Sequence, residues 1–105
     1  MKEQYEQIAQ SLINSIEEKW KKILLDVTIN PVDGSKKIIS SYSLDGSHYL
    51  TYMLDDLNLN NISEAIDVLQ KQTNDRGKGY FSGLILSLDE EQNFEVKFFY
   101  PDKLS

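Results

Sequence analysis

Between Tyr5 and Ile23 apolar residues recur at steps of three and four: Tyr5, Ile8, Ala9, Leu12, Ile13, Ile16, Trp20 and Ile23. That spacing lays one apolar stripe along a helix and leaves Glu, Gln, Lys and Asn on the other side. A helix is predicted from about Lys2 to about Lys19, with Trp20 closing it against a sheet. Glu3, Glu6, Glu17 and Glu18 dilute any basic face, so the stripe does not suit a membrane surface.

The period then falls to two. Leu25, Val27 and Ile29 alternate with Asp26 and Thr28, the pattern of a strand with one buried side. Asn30–Ser35 (NPVDGS) is a turn, where Pro31 stops a ladder and Gly34 is free to take positive φ. Ile38, Ser40, Tyr42 and Leu44 alternate next. Asp45-Gly46 follows, the strongest short hairpin signal in the chain, and predicts a partner strand over His48–Met53. The connections are too short for parallel crossovers, so these three strands form an antiparallel meander.

Asp55–Asn61 (DDLNLNN) reads as a polar loop. Asn61 as N-cap with Glu64 three residues on resembles a capping box, and Ile62, Ala65, Ile66 and Leu69 supply the apolar stripe of a second helix ending near Thr73. After the breaker-rich QTNDRGKG comes a fourth strand, Tyr80–Leu88, then the turn Asp89–Asn93 and a fifth strand, Phe94–Tyr100, ended by Pro101. The predicted order is α-β-β-β-α-β-β: a single α+β domain over residues 1–105, with a mainly antiparallel sheet and both helices packed on one face. Phe81, Ile85, Phe99 and Ile39 fall out of phase with the core positions. They are expected on the opposite face, where they would form an apolar patch for a protein partner or a second copy unless the sheet curls or a loop covers them.

A chain of 105 residues makes one domain, and 40% hydrophobic with 27% charged residues excludes a disordered or bilayer-embedded class. No apolar run approaches the ~20 residues that span a bilayer. The polar, helical N-terminus is unlike a secretory signal, and the absence of cysteine fits a reducing compartment; the expected location is the cytoplasm. Residues 1–25 hold four acids (Glu3, Glu6, Glu17, Glu18) and four lysines (Lys2, Lys19, Lys21, Lys22), so the whole net charge of −6 lies in residues 26–105. Phosphate backbones repel such a surface, which argues against a nucleic-acid partner. A cationic protein would be steered toward it, while solubility alone is the plainer explanation.

The candidate chemistry is sparse. His48 is the sole histidine, and Ser43, Ser47 and Asp45 near it are ordinary hairpin residues. Asp55-Asp56 are adjacent, so their carboxylates diverge, and DVTINPVDG lacks the ligand spacing of a calcium loop. DRGKGYFSG has the glycines and cations of a phosphate loop in the wrong order, because it follows a helix and precedes a strand. The expectation is no enzyme, no cofactor and no metal. Asp89, Glu90 and Glu91 cluster at a hairpin tip, either as a solvated turn or as a contact for arginine and lysine on a partner.

Three stretches carry a family likeness: the opening helix with IAQSLINSI leading into EEKWKKILLDVTI, the hairpin IISSYSLDGSHYLTY, and the ending NFEVKFFYPDKL. In order and spacing the chain resembles the YezG-like immunity proteins, antitoxins of bacterial polymorphic-toxin systems. It is short for that family, and Pro101 separates Tyr100 from Asp102 where the family often has Tyr-Asp directly. The resemblance implies a protein that neutralises a cognate toxin in the producing cell by stoichiometric binding. The toxins of such systems are often nucleases with cationic sites, so the partner implied is a basic protein, with no nucleic acid and no membrane. The expected contact is an edge formed by Asp45, His48, Tyr52, Asp55 and Asp56, with Asp89, Glu90 and Glu91 second. Tyr42, Tyr49 and Tyr52 have a competing claim on the core. The other reading is a non-catalytic adaptor, homodimeric through the open sheet face.

Overall fold

Ile23, Leu25, Val27 and Ile29 project from the same side of one strand, and every one of them is buried. That strand is the centre of the molecule. The computed structural model describes residues 1–101. Its elements are α1 (Lys2–Asn14), β1 (Lys22–Ile29), β2 (Lys36–Ser43), β3 (Leu50–Tyr52), α2 (Asp56–Asp75), β4 (Gly83–Asp89) and β5 (Phe94–Phe99). They form a single α+β domain with one antiparallel five-stranded sheet in the order β3-β2-β1-β4-β5. The first three strands are the expected meander. The β4–β5 hairpin adds to the free side of β1, with Leu25 opposite both Ser40 and Leu86.

The helices cover one face. Ile8 and Leu12 of α1 and Ile62, Ile66 and Leu69 of α2 meet Ile23, Leu25, Val27, Leu84, Leu86 and Leu88 in one core, all nearly or wholly inaccessible. Each buried side chain of this size contributes about 1.5–3 kcal/mol relative to exposure. Among the described residues, no helix is long and apolar enough to cross a membrane.

Several boundaries differ from expectation. α1 ends at Asn14, although the apolar period runs on to Trp20. Ser15 and Ile16 donate their amides to the Leu12 and Ile13 carbonyls, a tight last turn that ends the helix. Ile16 and Trp20 still pack on the core, from irregular chain.

The stretch Asp55–Asn61 is not a loop. Asp55 is the N-cap of α2, its carboxylate accepting the Asn58 amide at 2.8 Å, and Asn61 lies inside the helix. Two signals of the same kind competed, and the earlier one has the cap geometry.

The Asp45-Gly46 turn is wider than a two-residue hairpin. The Asp45 carboxylate takes the amides of Ser47 and His48, and Ser43 Oγ takes that of Gly46. Side-chain bonds thus replace ladder bonds, and β3 starts only at Leu50.

Phe81 is not on the outer face. It precedes β4, so strand alternation does not govern it; it is buried, with its ring centroid 4.8 Å from that of Phe98. The helix-free face carries Leu24, Ile39, Ile85 and Phe99, with Asp26 in register between Ile39 and Ile85. Asp102, part of the family-like ending, lies outside the described residues.

Candidate functional site

β1 begins at Lys22, opposite Ser43 on one side and Asp89 on the other. The β2–β3 connection and the β4–β5 turn therefore flank the start of the central strand. Lys21, Lys22, Asp45, Gly46, Asp89, Glu90 and Glu91 line one shallow depression at this end of the sheet. A second, of about 340 Å³, is lined by Lys22, Tyr49, Ser87, Leu88, Asp89, Asn93 and Glu95. Two acid groups far apart in sequence thus occupy a single region.

Asp45 organises its loop. It accepts the Ser47 and His48 amides at 2.8 and 2.9 Å, the Ser43 hydroxyl at 2.9 Å, and faces His48 Nδ1 at 2.7 Å. The His48 amide above all, then that of Ser47, holds its carboxyl below the usual carboxylate range. Asp89 plays the same part in the other turn. Its carboxylate accepts the Asn93 amide at 2.9 Å and the Glu91 amide at 3.0 Å. The Asn93 amide is the main cause holding it, too, below the ordinary value, with a contribution from the Lys22 charge. Both acids remain ionised well below neutral pH and are fixed in direction. Glu90 and Glu91 stand exposed at the tip.

This arrangement can accept hydrogen bonds and charge from lysine or arginine. Ser43 Oγ bonds the Asp45 carboxylate rather than the His48 ring. Among the described residues, no three His, Asp or Glu side chains converge to hold a metal ion.

The other expected contact residues lie elsewhere, lining neither depression. Tyr52 is half-buried, turned toward the helices, and its hydroxyl donates to the Leu12 carbonyl at 3.3 Å. Its ring meets Tyr42 edge-on at 5.5 Å, and burial pushes its hydroxyl pKa up. Asp55 is tied into the helix cap, and Asp56 is exposed in the first turn of α2, where the helix dipole favours an acid. Conversely, Lys21, Lys22 and Asn93 are absent from the expected contact edge, and Tyr49, a core candidate by sequence, is exposed here. The signal for them is the strand register, which follows only once β1 is extended back to Lys22.

Compared with models of known protein families and with curated proteins, the chain matches none.

Proposed function

We propose that this protein is a cytoplasmic immunity protein that binds a cognate bacterial toxin domain, a nuclease with a cationic surface, and neutralises it by stoichiometric complex formation rather than by turnover. The observation that carries the reading is the gathering of Asp45, Asp89, Glu90 and Glu91 at one end of the sheet, against Lys21 and Lys22. Two of these carboxylates are already held by backbone amides, so docking need not order them. An acidic surface of this kind speeds encounter with a basic partner and disfavours an acidic one. His48, beside Asp45, belongs to the same surface. The likeness to the YezG-like family supports the same reading.

The test is growth rescue. Coexpression with the cognate toxin domain should restore growth, and the double reversal Glu90→Lys, Glu91→Lys should abolish rescue while the protein stays folded. Rescue without a physical complex would overturn the reading. The exposed apolar side chains of Ile39 and Phe99 on the uncovered face favour a second reading, an adaptor that binds a protein partner there. If Ile39→Glu abolishes rescue and the acid reversals do not, that face is the contact.

A further inference from the structure

Among the described residues the sheet ends at β5, which is hydrogen-bonded to β4 and to no other strand. Asp89 donates its amide to the Asn93 carbonyl at 3.0 Å, and from there the β4–β5 register runs unbroken from Leu88↔Phe94 to Gly83↔Phe99. In an antiparallel ladder, alternate residues turn both backbone groups to the same neighbour. Glu95, Lys97 and Phe99 therefore face β4, and Phe94, Val96 and Phe98 turn their amides and carbonyls outward. The segment contains no proline and no bulge, two common devices that keep an edge from pairing. The other edge, β3, is only Leu50–Tyr52.

We propose that this edge joins a second copy of the chain, β5 against β5 and antiparallel, about a twofold axis through Val96, fusing two five-stranded sheets into one. The register follows from charge. Outward-facing residues must meet outward-facing residues, so the axis passes through a residue position. Through Glu95 it would set that acid against its own copy, and through Lys97 it would set two ammonium groups together. Through Val96 it places Glu95 against the partner's Lys97 and Lys97 against the partner's Glu95, both on the face the helices leave open. These are non-hydrogen-bonded pairs, where opposed side chains lie closest, about 4.5 Å between Cα atoms. On the helix side, Phe94 meets the partner's Phe98 twice and Val96 meets itself; all three are half-exposed in the single chain. Axes further out run into the turn or past Pro101 and shorten the overlap. In the single chain the Lys97 ammonium rests over the Phe99 ring, 5.3 Å from its centroid, on the surface where the pairs would form. The contact is small, so the dimer is weak and concentration-dependent.

Sedimentation of the whole chain over a range of concentrations tests it. The mass should rise from 12.1 kDa toward twice that value. Glu95→Lys or Lys97→Glu alone should raise the concentration of half-dimerisation about tenfold, since each change turns two attractive cross-strand pairs repulsive. Lys97→Gln should give a smaller shift. The double exchange Glu95→Lys, Lys97→Glu restores both pairs and should return the midpoint to near wild type, which loss of folding could not do. A monomer up to millimolar concentration overturns the proposal. So do single variants with unchanged midpoints, a double exchange that fails to restore, or a dimer that only Ile39→Glu disrupts.

Discussion

Replacing Asp55 with alanine separates two accounts of where α2 begins. Asp55 has extended backbone (φ −72, ψ 166) and its Oδ1 accepts the Asn58 amide at 2.8 Å. Its Oδ2 accepts the Asn58 side-chain amide at 3.1 Å, and Asn58 is only 6% exposed. Losing an N-cap acceptor costs about 1 kcal/mol. A buried amide left without its partner adds up to about 1 kcal/mol more. Asp55→Ala should therefore lower stability by about 1–2 kcal/mol, or at least about 4 °C in Tm for a domain this size. Asp55→Asn keeps the acceptor and should cost only a few tenths of a kcal/mol. Asn61 is inside the helix and bonds Gln7 through its backbone carbonyl, which alanine retains. Asn61→Ala should thus be neutral or stabilise by up to about 0.5 kcal/mol, because alanine is the better helix former. Urea unfolding followed by circular dichroism at 222 nm, the standard helix band (about 222 nm), reads all three. A neutral Asp55→Ala with a costly Asn61→Ala would place the cap at Asn61 and refute the reasoning.

Phe81→Ala should cost about 3–5 kcal/mol in the same assay, since the ring is buried against Phe98; a loss under about 0.5 kcal/mol would put Phe81 on the outer face. Asp45 and Asp89 are held below the usual carboxylate range. Their stabilisation is present above the unfolded value of about 3.9 and fades as pH falls toward the folded value. Asp89 is held by the Asn93 and Glu91 amides, so the Tm gap between wild type and Asp89→Asn should be constant from neutral pH to about pH 5 and shrink below about pH 4; a gap that widens on acidification contradicts this. Tyr52→Phe removes the bond to the Leu12 carbonyl and should cost about 0.5–1.5 kcal/mol, measured by thermal melting, with no effect on partner binding.

The sheet was legible because alternation needs only a half-buried surface: Leu25, Val27 and Ile29 lie inward as their period requires. The helix ends were less legible. Ile16 and Trp20 continue a helical period while packing from irregular chain, since burial asks where a side chain reaches and not how its backbone travels. Asp55 and Asn61 are equivalent cap signals in sequence, and Leu57 and Leu59 hide the true start because both are exposed on the helix. Phe81 precedes β4, so strand alternation does not reach it. At the candidate site, the acids were visible singly. Their meeting was not, because it depends on β4 pairing with β1 across an intervening helix. Composition alone places Tyr52 and Asp55 on the expected contact edge, and the structure gives both of them bonds within the fold.

Calorimetric titration of the cognate toxin domain with the wild-type chain and with the Glu90→Lys, Glu91→Lys variant probes the acidic grip itself. The account predicts one-to-one binding by wild type that weakens as salt rises, and at least tenfold weaker binding by the variant, with unchanged Tm. Binding that ignores salt and survives both reversals, or a toxin that the variant holds more tightly, would contradict it.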